Sequence, residues 1–216
     1  MKQTKVKYSI WFLILFYAVG ITGFVVPQTH SFFKTLTPFA LLLSAVFLAL
    51  FHQPKYNFKT IVVFSTIFIV SFLSELIGVQ TGLIFGEYNY VSSLGLEIRG
   101  TPLIIGLNWL VLVYCPEIIA DKITKNTVLN LLLGPSLMVG YDLVLERVAP
   151  KLGMWTWTGD VIPIQNYIAW FVFALLFHAL IKLTKVEFKN PIAVAVFIIQ
   201  FMFFVTLVAF FRLSAS

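Results

Sequence analysis

The chain has 216 residues, 60% of them hydrophobic and only 11% charged. A water-soluble domain of that size cannot hide so much apolar surface, because its surface-to-volume ratio leaves too many side chains facing solvent. The formal net charge of +6 does not point to nucleic acid, since the basic residues sit in short segments beside apolar runs, where anionic lipid headgroups account for them.

A helix that crosses a bilayer needs roughly 17–25 mostly apolar residues, and seven segments qualify. The first, 8–26, follows Lys2, Lys5 and Lys7. Its apolar stretch is longer than a secretory signal core and no small-x-small site follows, so it is expected to stay as a helix. The second, 35–51, is short. The third, 60–78, contains Glu75 and leads into the loop "FGEYNYVSSLGLEIRGTP". The fourth, 101–120, carries Asn108, Trp109 and Glu117. The fifth, 127–146, carries Asp142 and Glu146 and leads into "APKLGMWTWTGDVIPIQN". The sixth, 165–183, carries Asn166, Trp170 and His178, and the seventh is 191–211. The expected fold is an all-α polytopic membrane helix bundle of about seven transmembrane helices, one domain over residues 1–216.

With seven spans the loops alternate sides. One side collects Lys2, Lys5, Lys7, Lys55, Lys59, Lys122, Lys125, Lys182, Lys185 and Lys189, and the other only Lys34, Arg99, Arg147, Lys151 and Arg212. The positive-inside rule then predicts a cytoplasmic N-terminus. The two long, glycine- and aromatic-rich loops would face outward, in a bacterial cytoplasmic membrane.

Those loops follow one pattern. Glu75 is followed eleven residues later by Gly86-x-Tyr88-x-Tyr90, and Asp142 eleven residues later by Gly153-x-Trp155-x-Trp157. Pro102 is followed by Trp109 seven residues on, as Pro163 is by Trp170. A parallel helix–loop–helix repeat, 60–120 and 127–184, would place a site between two halves.

A charge at mid-helix costs roughly 2.5–3.5 kcal/mol on insertion scales, so each intramembrane acid needs a reason. Glu117, with Lys122 close by in sequence, reads as structural. His178 has no evident acid partner and reads as packing. Glu75, Asp142 and Glu146 all fall in the outer ends of their helices. Asp142 and Glu146, four apart, share a helical face; like charges that close in a poorly solvated site do not both ionise easily, and one would stay protonated as a general acid must. The plainer alternatives are a buried ion pair with Arg147 or Arg99, or a protonated carboxyl bonded to a neighbouring helix. Asn108 and Asn166 could hold water, orient an acid, or simply bond across helices. The single cysteine, Cys115, excludes an internal disulfide, and no CxxC or His-rich cluster suggests a metal. GxSxG, HExxH and phosphate-loop motifs are absent. Acids, aromatics and amides in a lipid-facing shell suit acid chemistry on a bilayer-borne substrate.

The stretches "ELIGVQTGLIFGEYNY", "GTPLIIGLNW", "DLVLERVAPKLGMWTW" and "IPIQNYIAW" resemble the integral-membrane carotenoid biosynthesis family, of carotenoid 1,2-hydratase and bisanhydrobacterioruberin hydratase type. The resemblance spans about residues 70–171. The family pattern has an aspartate followed by proline four residues after the acid matched by Asp142; this chain has Glu146 followed by Arg147, with proline only at Pro150. The resemblance implies hydration of an acyclic (ψ) carotenoid end by protonation and water capture, a hydro-lyase reaction. Glu75, Asp142 and Glu146 would be catalytic. Tyr88, Tyr90, Asn108, Trp109, Trp155, Trp157, Asn166 and Trp170 would contact the substrate, the loop aromatics through their π-faces. No cofactor is implied. Expected partners are the carotenoid within the bilayer, membrane lipids and other carotenoid-pathway enzymes, with no nucleic acid. An end-group cyclase and a proton-coupled carrier remain the competing readings.

Overall fold

The computed structural model describes residues 3–214, so Lys2 of the basic N-terminal group lies outside the described residues. The helices are α1 (Gln3–Val25), α2 (Pro27–Thr35), α3 (Thr37–Phe51), α4 (Phe58–Thr81), α5 (Ile104–Ile123), α6 (Thr127–Leu145), α7 (Ile164–Thr184) and α8 (Ala193–Leu213). Six are long and apolar enough to cross a membrane, and α2 with α3, bent by 55°, make a seventh if counted as one span. The protein is an all-α polytopic bundle and an integral membrane protein. The boundaries predicted from hydropathy fall within a few residues of the helices, except that α2 is a separate amphipathic turn-in rather than loop.

The helix ends follow from local chemistry. Asn57 caps α4, its Oδ1 accepting from the Thr60 N–H at 2.9 Å, and Asn126 caps α6 by accepting from Leu129 at 3.1 Å. At the other end of α4, Gly82 turns left-handed (φ 66°) and its N–H closes on the Gly78 carbonyl at 2.8 Å. That stop lets the chain reverse two turns beyond Glu75.

The central helix is α5. It is 72% buried, against 22–39% for the other spans, and it contacts α3, α4, α6, α7 and α8. It is therefore the helix whose polar residues most need partners inside the protein.

Above one end of the bundle the two long loops are not irregular. Strand β1 (Tyr88–Tyr90) pairs antiparallel with β4 (Trp155–Trp157), Tyr88 opposite Trp157 and Tyr90 opposite Trp155. Hydrogen bonds from Val91 to the Met154 carbonyl (2.9 Å) and from Thr158 to the Glu87 carbonyl (3.0 Å) extend the ladder. A small hairpin, β2 (Glu97–Ile98) with β3 (Thr101–Pro102), lies within the first loop. The β1–β4 contact needs Gly86: its φ is +104°, and a Cβ there would come within 2.4 Å of Pro163.

At the opposite end, Glu117 is buried and bonded to Lys182 at 2.6 Å rather than to Lys122, and Lys182 also reaches Asp121 at 2.6 Å. His178, expected to lack an acid partner, has its Nε2 3.8 Å from Glu117. Its Nδ1–H donates to the Ala174 carbonyl at 2.8 Å. The pairs bridge α5 and α7, a contact between helices distant in sequence.

Candidate active site

The carboxyl groups of Glu75, Asp142 and Glu146 converge beneath the β1–β4 ribbon. Glu75, one of the buried residues of α4, accepts three hydrogen bonds: from Tyr88 Oη at 2.5 Å and Tyr90 Oη at 2.8 Å on one oxygen, and from Trp109 Nε1 at 2.8 Å on the other. Burial, and then the charge of Glu75, push both loop tyrosines well above the usual phenol range, so they stay protonated and donate.

Glu146 caps α6 just past Leu145 and is the counterpart acid. Trp157 Nε1 donates to its Oε2 at 2.7 Å and Trp155 Nε1 at 3.1 Å. Asp142, fully buried one turn earlier, accepts from Asn166 Nδ2 at 2.9 Å, and the same amide reaches Glu146 at 3.5 Å. The other oxygen of Asp142 has no partner among the described residues.

The aromatics form the walls. Trp109 and Trp170 stack with centroids 4.1 Å apart at 24°, Tyr88 lies 5.0 Å from Trp157, and Tyr90 meets Trp155 edge-on at 5.9 Å. A cavity of about 20 Å³ remains, lined by Glu75, Glu146, Asn108 and these rings. That is room for one water molecule. Asn108 points no hydrogen bond at any described residue, so its amide is available to such a water.

Every residue expected to be catalytic or to contact substrate, except Asp142, lines this cavity; Asp142 stands one step behind, joined through Asn166. Two expectations change in detail. No cation sits within 4.0 Å of the three acids among the described residues, so the ion pair with Arg99 or Arg147 is not what holds them. Trp155 and Trp157 also spend their N–H groups on Glu146 rather than offering only their faces. Phe85 and Ile105 complete the lining; nothing in the sequence separated them from the many other apolar residues.

A family model described as carotenoid biosynthesis protein matches residues 36–215. The chain belongs to this family. The matched stretch contains all three acids and both aromatic loops of this carotenoid biosynthesis protein. No curated protein and no solved structure matches the chain.

Proposed function

We propose that the protein is a carotenoid hydratase, adding water across the terminal C=C of an acyclic end group. A proton passes from a carboxylic acid to the less substituted alkene carbon, leaving a tertiary carbocation. Water oxygen bonds to that carbon and one water proton leaves to a carboxylate, giving a tertiary alcohol. Atoms and charge balance with alkene and water alone, so no cofactor is required.

The reading rests above all on one observation. Two buried acids, Glu75 and Glu146, with a third, Asp142, behind them and no cation within 4.0 Å among the described residues, stand at a water-sized, aromatic-walled cavity, in a chain of the carotenoid biosynthesis family. The pair Asp142–Glu146, bridged by Asn166, is assigned to hold the proton, with Glu146 at the cavity wall as its donor to the alkene. Burial supports this, because it holds the Glu146 carboxyl above the ordinary range against the pull of its two indole donors. Glu75 accepts three hydrogen bonds of 2.5, 2.8 and 2.8 Å, shorter as a set than the 2.7, 3.1 and 3.5 Å bonds to Glu146, which suits an ionised, acceptor-only carboxylate; it would face the carbocation and take the proton from the attacking water. Asn108 would orient that water. The ring faces of Trp109, Trp170 and Tyr88 would add about 2 kcal/mol to cation stabilisation once desolvated.

The repeat fits the same reading. Trp109 and Trp170 stack, and the positions eight and twelve residues further on, Glu117 with His178 and Asp121 with Lys182, also face each other. Units 60–120 and 127–184 would then be two halves around one axis, with the reaction at one end. With a cytoplasmic N-terminus, that end meets the outer leaflet.

A cyclase begins with the same protonation but must keep water out; room for one water and the unbonded Asn108 amide favour hydration. A proton-coupled carrier needs a polar path between the two ends, whereas residues 110–113 and 171–177 between them are apolar. The test is expression in a lycopene-producing host with mass analysis of the extracted pigment. A gain of one water per acyclic end, lost in Glu75→Gln, is expected. Unchanged mass with a shortened chromophore would mean cyclisation, and unchanged pigment with folded protein would overturn the enzyme reading on this substrate.

A further inference from the structure

The 20 Å³ cavity beside the acids cannot hold the end of an isoprenoid, so the chain next to the reacting alkene needs space elsewhere. A second cavity, of about 200 Å³, lies between α1, α2, α3, α6 and α8 and is walled by rings such as Phe24, Phe33 and Phe203. It adjoins the acid cluster at two points. Tyr141 lines it while the next residue, Asp142, belongs to the acids; Met154 lines it while the next residue, Trp155, bonds Glu146. Met154 immediately precedes β4, and its carbonyl accepts from Val91 at 2.9 Å, so the approach to β4 is the partition between the two spaces.

We propose that this chamber seats the isoprene units adjacent to the reacting end of the substrate, and that Met154 is the movable part of the partition. The proposal rests on the reading above that the substrate is a linear isoprenoid; the chamber itself is independent of the chemistry that follows. Its polar groups are largely closed on one another. Gln200 Nε2 donates to Tyr17 Oη at 2.9 Å, and that hydroxyl shares a 2.9 Å hydrogen bond with Ser44 Oγ. Apart from the Thr37 hydroxyl, which has no partner among the described residues, what remains is mostly apolar wall. An apolar cavity of about 150 Å³ stays dry and takes up a six-carbon ring, so this one accommodates roughly one to two five-carbon units by the same scale. Val19, 52% exposed, stands at its rim on the lipid-facing side, so the rest of a long chain can continue into the bilayer. Methionine, unbranched with three rotatable bonds, can swing aside at little cost and admit the terminal alkene to the acids.

The experiment fills the chamber away from the acids. Ala40→Phe projects into it from α3, and Ala40→Leu is the milder version should the first fail to fold; Leu50→Phe, on the lipid face of the same helix, is the control. Each protein is purified in detergent from a lycopene-producing host, and retained pigment is read by absorbance, with co-purified acyl lipid measured alongside. Filling the chamber is expected to lower retained pigment about tenfold and to raise KM, roughly the scale of one lost decade of affinity, while Leu50→Phe changes neither. Met154→Trp should retain pigment yet lose turnover. Unaltered pigment retention in folded Ala40→Phe and Ala40→Leu, or loss of acyl lipid in place of pigment, would overturn the proposal. Pigment that is retained by the unmodified protein but never converted would instead count against the hydratase reading and leave the chamber standing.

Discussion

The bundle buries carboxylates at both ends, and treats them in opposite ways. At one end Glu117 meets Lys182, which also holds Asp121. At the other, Glu75, Asp142 and Glu146 meet, among the described residues, only neutral donors: phenols, indoles and an amide. A buried acid matched by a cation has its charge balanced and gains nothing from exchanging a proton. One matched by neutral donors alone can be held in either protonation state, and that is what transfer to and from a substrate requires. The difference separates a fastening between α5 and α7 from a place where chemistry can occur.

The largest effect that tests this contrast is on turnover. Glu75→Gln keeps the shape of the side chain but cannot take a proton, and its amide NH2 replaces one of the two oxygens that accept from Tyr88, Tyr90 and Trp109. Product formation in the lycopene-producing host is expected to fall about 10²–10⁴-fold, the usual weight of general acid–base catalysis, with pigment binding retained. A comparable loss is expected for Glu146→Gln. Variants that turn over at the original rate would remove the distinction between the two ends.

The converse substitution acts on stability. Glu117→Ala leaves the partly exposed Lys182 paired with Asp121 and removes a charge-assisted hydrogen bond between α5 and α7, a change that costs about 1.5–3 kcal/mol. A lower Tm in detergent is expected, while the activity per folded molecule stays that of the unaltered protein. Loss of specific activity without loss of Tm would place Glu117 in the chemistry after all.

Which parts of this contrast could be seen in the sequence is itself instructive. The spans were legible because hydropathy is a local property, and the acids stood out because a charge in an apolar run is costly wherever it lies. The shared Gly-aromatic-x-aromatic pattern marked both loops, yet nothing local says that Tyr88 will lie opposite Trp157, because strand pairing between segments some 70 residues apart is decided by how α4 to α7 pack. The Glu117–Lys182 bond was missed for the same reason: Lys122 is near in the chain, but the helix turns it away and α7 brings Lys182 instead. Nor could spacing show that Glu146, not the aligned Asp142, receives the indole N–H groups. An indole carries its donor on the side of the ring and a phenol at its tip, so replacing tyrosine by tryptophan changes which turn of the helix the donor reaches.

A smaller effect probes the donors themselves. Tyr88→Phe removes the 2.5 Å hydrogen bond to Glu75 and leaves Tyr90 and Trp109 in place. A bond to an ionised group is worth about 1.5–3 kcal/mol. If Glu75 is the carboxylate that receives the proton from water, losing one of three donors weakens its ionised form, and turnover should fall roughly 10–100-fold, with kcat affected more than KM. An effect confined to KM would make Tyr88 a wall of the substrate site instead.

The smallest expected effect concerns the ribbon that delivers those donors. Gly86→Ala combines a left-handed backbone, which costs of order 1–3 kcal/mol for other residues, with a Cβ aimed at Pro163. The spans do not depend on this contact, so helix content should be unchanged and Tm only slightly lowered. The β1–β4 pairing does depend on it. Because Tyr88 and Tyr90 come from one strand and Trp155 and Trp157 from the other, loosening the pair slackens the donors on Glu75 and Glu146 together. Intrinsic tryptophan fluorescence, to which Trp155 and Trp157 contribute, should shift to the red as water reaches the indoles, in parallel with the loss of turnover. The Glu117 end should not respond. A shift there of equal size, read from the Tm of Glu117→Ala in the Gly86→Ala background, would mean that the two ends are coupled through α5 and α7 rather than built separately.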